Sequence, residues 1–347
     1  MGKLLFFGDL YYDYDIVKPD IINISKWVNK NNYSSFGNLE GALTSCCEKI
    51  VKRGPNLKGT TRTLDVCELL NVKGLFLANN HIMDFGANGL METIKHLQNI
   101  DVTYCGAGIN LFEAVKPIIF DCDSTKVAFL NFGWDVEETV YAKDNSAGCA
   151  PLDRNLILSS VRKLHNEVDF VVVSLHWGFE YNRLPMPRDI SLAHDIIDAG
   201  ADLIIGHHPH CVQPVEIYKG KHIYYSLGNF YFGSVRKEYN VSFNESIKNQ
   251  SDYGLLVAID PKNYEIEINT IYYDKEKDSS VILEANDCLE CLTNIDYQSL
   301  KYYLQTIRRK KNINPILNNS YADHLKIKIL GDFYMFKSFL KKIIRRS

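Results

Sequence analysis

Ten side chains that can hold a divalent cation or move a proton fall into five clusters: Asp9; Asn38 and Glu40; Asn80, His81 and Asp84; His176 and Glu180; His208 and His210. Hydrolysis of a phosphoester or an amide at neutral pH needs an activated water and neutralisation of developing charge, and two divalent cations roughly 3.5 to 4 Å apart supply both. Oxygen donors and imidazoles suit manganese, zinc or iron, and nothing in the set points to thiolate ligation. A carboxylate such as Asp9 or Glu40 can bridge two ions, and Asn80 can give its amide oxygen. His81, next to it and pointing elsewhere, can protonate a leaving group or hold a scissile oxygen. His208 and His210 lie two apart, so in an extended segment both face one side and clasp one centre. Each cluster alone also has a structural reading: Asp9 can cap a turn, 79–81 can open a helix, and His176 beside Trp177 can be a core histidine. Asp84 and Glu180 read as orienting groups, and His207 as a bystander.

Such a set works only if separate elements converge on one pocket. Apolar runs of strand length recur at 4–7, 74–77, 127–130, 170–175, 203–205 and 223–226. Helical patterns lie between them, at 63–70, 89–98 and 191–199, the last ending at Gly200, where a C-cap belongs. Alternating strands and helices argue for an α/β layered domain. Asp9 follows the first run, Asn79-Asn80-His81 the second, His176 ends the fourth, and 207–210 follow the fifth. Four strands thus present candidate ligands from their C-terminal ends, the edge where sites form in open α/β sheets.

Past Phe230 the stretch 236–250 is rich in Asn and Lys and reads as a loop, while 253–259 and 264–272 read as a β-hairpin around Pro261-Lys262-Asn263. Residues 1–274 are therefore expected to form one domain, and 275–347 a helical, basic C-terminal region. That region ends in Phe336, Phe339, Leu340, Ile343 and Ile344 at helical spacing beside Lys341, Lys342, Arg345 and Arg346, a stretch able to meet an anionic membrane surface.

With 347 residues, 46% hydrophobic and 23% charged, the composition is that of a globular protein with a sizeable core. A net charge of −3 gives no reason to expect nucleic acid as a partner. Nine cysteines without a framework spacing fit reduced thiols and a cytoplasmic setting. The lone Cys288/Cys291 pair reads as incidental, and Cys211 as buried and inert. Four apolar residues after Lys3 are too few for a secretion signal, and no run approaches the roughly 20 apolar residues of a membrane helix.

The stretches 37–41 (GNLEG), 78–81 (ANNH) with 84–86 (DFG), 174–178 (SLHWG) with Glu180-Tyr181, 206–210 (GHHPH) with Gln213-Pro214, and 225–230 (YSLGNF) resemble the CapA (PgsA-like) capsule synthesis family. That family looks like a branch of the calcineurin-like metallophosphoesterases. The resemblance covers about residues 3 to 235 in order. It implies a four-layer αββα sandwich, two divalent cations, and metal-ligand positions at Asp9, Glu40, Asn80, His176, His208 and His210. His81 takes the catalytic-histidine position, with Asn38 and Glu180 as further candidate catalytic residues and Gly228-Asn229 near the pocket. Two departures stand out. Tyr11 occupies the place of the superfamily's first-motif histidine, and Asn38-Leu39-Glu40 replaces its usual bridging aspartate motif. The expected activity is metal-dependent hydrolysis or transfer on an anionic polymer such as poly-gamma-glutamate, within a capsule synthesis complex. The alternative is a non-catalytic, metal-stabilised partner in such a complex.

Overall fold

The computed structural model describes residues 2–13, 21–52, 54–134, 139–232, 252–274 and 279–283. The chain begins β1 (Lys3–Tyr11), α1 (Ile22–Lys30), β2 (Tyr33–Leu39), β3 (Ala42–Leu43), β4 (Lys58–Gly59), α2 (Thr63–Leu69), β5 (Val72–Phe76), α3 (Gly86–Asn99), β6 (Thr103–Cys105) and β7 (Ala107–Gly108). It continues with α4 (Leu111–Ala114), β8 (Ile118–Cys122), β9 (Thr125–Gly133), β10 (Gly148–Cys149), α5 (Arg154–His165), β11 (Phe170–His176), α6 (Pro187–Asp198) and β12 (Leu203–His207). Strands β13 (Val215–Tyr218), β14 (Lys221–Tyr224), β15 (Asn229–Phe232), β16 (Tyr253–Ile259), β17 (Ile266–Asp274) and β18 (Ser279–Leu283) follow.

Two sheets form the body. One has the order β18-β17-β16-β1-β2-β5-β6, with β15 pairing the end of β1; the other runs β13-β14-β12-β11-β9-β8. Strands β1, β9, β11 and β12 each have a parallel neighbour and are largely apolar on both faces, as a sheet covered on both sides requires. In β1, Leu5 and Phe7 pack with Ile24 and Val28 of α1, Val66 of α2 and Leu90 and Leu97 of α3. Leu4 and Phe6 of the same strand face the other way, onto Phe129 of β9, Val172 of β11 and Ile205 of β12. On the far side, Leu130, Val173 and Ile204 pack under Ile157 and Val161 of α5 and Ile196 of α6. Three apolar interfaces separate four layers, so the expected αββα sandwich is what the chain forms. At the middle interface Phe36 stacks on Phe129 at 4.2 Å between ring centroids, and each such fully buried side chain contributes about 1.5–3 kcal/mol by leaving water.

Register brings the site residues to one edge. Asp9 pairs with Asn38, and Asn38 with Phe76, the last residue of β5. In the other sheet His176 pairs with His207. The expected hairpin is β16–β17, paired antiparallel. Helices α2 and α3 fall where the periodicity placed them, and α6 starts earlier than expected because Pro187 opens it. Strand β2 was not among the expected strands, since YSSFGNL is no apolar run. Strand β18 pairs with β17, so the larger sheet runs on past residue 274, where a helical region was placed. The loop at 236–250, Cys288/Cys291 and the basic stretch at 333–346 lie outside the described residues. Among those described, no helix is long and apolar enough to cross a membrane, and all seven cysteines are free.

Candidate metal centre

Asp9 lies within β1, not after it, beside a register shift between Phe7 and Asp9. Gly8 makes this bend possible: a Cβ there would sit 1.9 Å from the Gly228 carbonyl oxygen, and Asp9 N donates to that same carbonyl at 3.0 Å. The Asp9 carboxylate is fully buried. Asn38 donates from Nδ2 to Asp9 Oδ1 at 2.9 Å and to Glu40 Oε2 at 3.4 Å, so one amide holds both carboxylates. His208 N donates to Asp9 Oδ2 at 3.2 Å. Burial alone would raise the Asp9 carboxyl, but hydrogen bonds and attraction from His207 and His210 outweigh it and hold it well below the usual carboxylate range.

The turn after β5 is built on Asn79, whose Oδ1 accepts from His81 N at 3.1 Å and Ile82 N at 2.9 Å. Its Nδ2 donates to Leu39 O at 2.7 Å, tying the turn to β2. Beside it, Asn80 Oδ1 lies 2.9 Å from His176 Nε2. His81 Nδ1 meets Asp84 Oδ2 at 2.7 Å, and its Nε2 lies 3.9 Å from Glu40 Oε1. A residue that sequence reading missed completes this corner. The fully buried Lys52 ammonium contacts Asp84 Oδ1 at 2.5 Å, Asn80 O at 2.9 Å and His81 Nδ1 at 3.0 Å. Burial, and then Lys52, lower His81 to about 4 against the pull of Asp84.

From the six-stranded sheet come the imidazoles. His176 ends β11, while His208 and His210 follow β12 with φ of 94° and 53°. The extended H-x-H clasp expected from sequence is therefore replaced by two left-handed residues, a backbone state uncommon outside glycine and often found where function holds it. Their rings still converge, with centroids 5.8 Å apart. His210 Nδ1 lies 2.9 Å from Asn229 Oδ1 and 3.3 Å from Asp9 Oδ2, and its Nε2 lies 3.5 Å from Glu40 Oε1. Burial works against charge on His210, but Glu40 and then Asp9 outweigh it and push the ring well above its ordinary value. Burial lowers His208 to about 3 and His176 well below the ordinary value. His207 is no bystander: it is fully buried, with Nδ1 3.3 Å from Asp9 Oδ1. Cys211 is buried as expected, its thiol pushed up to about 12 by burial.

Residues 8–234 match the family described as bacterial capsule synthesis protein PGA_cap. The chain belongs to this family. It is 37% identical over 202 residues to the PGA biosynthesis protein CapA of Bacillus subtilis (strain 168), a match covering 56% of this chain and 52% of that one. To the capsule biosynthesis protein CapA of Bacillus anthracis it is 35% identical over 218 residues, covering 60% and 53%. The chain spans about half the length of these relatives. A 5'-nucleotidase precursor from Thermus thermophilus is similar at TM-score 0.48 and 11% identity, covering 89% of this chain and 59% of that one. That likeness is too slight to bear on activity.

In this PGA_cap chain the donors fall into three overlapping groups: Glu40, His176 and His208; Asp9, Glu40 and His210; Glu180, His208 and His210. Within each group the ligand atoms lie within 4.8 Å of one another. The residues fit divalent cations on one observation in particular. Neither nitrogen of buried His208, nor Nδ1 of buried His176, has a hydrogen-bond partner among the described residues. Buried polar atoms are rarely left so, and a neutral imidazole lone pair is what a cation takes. All six expected metal positions are brought together. His81 stands beside Glu40, Asn38 links the carboxylates, and Asp84 sits behind His81. Asn79 and His207 lie inside the ANNH and GHHPH stretches but sequence reading gives them no part in the centre, and Lys52 carries no local sequence signal that would have marked it.

Proposed function

We propose that the chain is a metal-dependent hydrolase of capsule or poly-gamma-glutamate synthesis, acting on a phosphoester or amide of an anionic polymer. The overlap of the donor groups at Glu40, with buried imidazole nitrogens left for a cation, carries this reading. Asp9, Glu40, Asn80, His176, His208 and His210 would hold two divalent ions of manganese, zinc or iron. When bound, these supply an activated water and neutralise developing charge.

The chain's own residues do the rest. Asn38 and His207 engage Asp9 Oδ1, which leaves Oδ2 toward His210. Glu40 belongs to two of the donor groups and would serve both ions. With Nδ1 donating to Asp84, His81 stays neutral and turns Nε2 toward Glu40. There the bare Nε2 would take the proton that the attacking water gives up, and the leaving group would be protonated from solvent. The substrate is an anionic polymer, met within a capsule synthesis assembly.

One observation favours a second reading, a non-catalytic partner that keeps the fold and a cation. Tyr11, standing where the resemblance has a histidine, turns its hydroxyl to Lys58 O at 3.3 Å. Elemental analysis of the wild type beside His208→Ala, followed by a model phosphodiester assay with added manganese, separates the two. About two ions per chain and manganese-dependent turnover, both lost in His208→Ala, are expected. Metal without turnover on any model ester would favour the partner, and neither metal nor turnover would overturn the hydrolase.

A further inference from the structure

The donor groups differ in where their charge comes from. Two contain Asp9 or Glu40, held by strands β1 and β2; the third takes its carboxylate from Glu180, in the loop between β11 and α6. We infer that Glu180 is itself a cation ligand, closing the centre from the loop side and coupling cation binding to the position of that loop. This rests on the cation binding proposed above.

Four observations carry it. A Glu180 carboxylate oxygen lies within 4.8 Å of a nitrogen of His208 and of His210; ligands of one ion at roughly 2.1 Å each stand about 3 to 4 Å apart, so a small side-chain rotation brings it into reach. The loop is fastened to the histidine segment, not merely beside it. Tyr181 N donates to Pro209 O at 2.7 Å, Trp177 N to His207 O at 3.1 Å, and Gln213 Nε2 to Asn182 O at 2.7 Å. The first of these joins the residue after Glu180 to the residue between the two histidines. Tyr181 holds φ of 56° to make it. His208 is fully buried, and neither of its ring nitrogens has a hydrogen-bond partner among the described residues. Finally, Glu180 is the one carboxylate in the group it forms with His208 and His210.

The ligand role predicts a binding defect without a folding defect. Manganese binding to the cation-free full chain, measured by titration calorimetry, compares wild type with Glu180→Gln and Glu180→Ala. Both variants are expected to bind one ion at least about tenfold more weakly, keep the other, and melt as the wild type does without cation. Glu180→Gln binding both ions as tightly as wild type would overturn the inference and leave the hydrolase reading standing. Absence of manganese binding in the wild type would overturn both.

Discussion

The two sheets bring different chemistry to the seam between them, and they prepare it differently. The eight-stranded sheet supplies Asp9, Asn38, Glu40 and Asn80; the six-stranded sheet supplies His176, His208 and His210. The oxygen side is held by protein: Asn38 donates to both carboxylates, Asn79 ties the turn to β2, and Lys52 meets Asp84. On the imidazole side, His176 and His208 between them leave three ring nitrogens without a hydrogen-bond partner among the described residues. The difference follows from charge. A buried carboxylate without compensation costs several kcal/mol, whereas an unpaired neutral nitrogen costs roughly 1–3 kcal/mol. The carboxylates must therefore be secured before any cation arrives, and the rings can wait.

The sharpest way to break that comparison is at Lys52. Replacing it with Met leaves Asp84 as a buried charge held by Leu57 N at 2.6 Å and by His81. Removing one partner of a buried pair costs about 3–5 kcal/mol. Urea unfolding of the cation-free protein should show a loss of that size for Lys52→Met. His208→Ala in the same assay should lose less than half as much, because the ring makes no hydrogen bond among the described residues. An equal loss in both would mean that the two sides are not prepared differently.

Asn38 tests the same idea through binding. Asn38→Ala removes no candidate ligand but removes the donor to Asp9 and Glu40. Groups that orient ligands typically account for 10- to 100-fold in cation affinity, roughly 1.4–2.8 kcal/mol. Manganese titration should find a weakening in that range. A change under about twofold would show that the carboxylates keep their places without the amide.

What could be read from the sequence was whatever repeats locally. Strands β1, β11 and β12 announce themselves as short apolar runs because both of their faces are buried, and the polar residue ending each run marks the sheet edge. Strand β2 does not, because Ser34, Ser35, Gly37 and Asn38 interrupt it; Glu40 was found through its motif. Lys52 was invisible for a different reason. It sits among Lys49, Arg53 and Lys58, and what sets it apart is contact with Asp84 and His81, which are close only in the fold. His208 and His210 were placed correctly and given the wrong backbone, since no local rule puts histidine at positive φ.

The smallest effect is expected far from the seam, where the six-stranded sheet does hold a carboxylate. Glu216 on β13 accepts from Tyr225 OH at 2.6 Å and meets His194 Nε2 of α6 at 2.8 Å. Burial would raise its carboxyl, but His194 and Tyr225 outweigh that and hold it below its ordinary 4.5. A carboxyl lowered by folding stabilises above its unfolded value, and that contribution is lost as pH falls through the folded one. Glu216 is partly exposed, so its contribution at pH 7 should stay under about 1 kcal/mol. Thermal unfolding of Glu216→Gln should thus differ slightly from wild type at pH 7 and converge with it as pH falls through the lowered carboxyl value of the folded state. A difference that persists unchanged at the acid end would assign the stabilisation to packing, and would leave ion-held carboxylates as a property of the eight-stranded side alone.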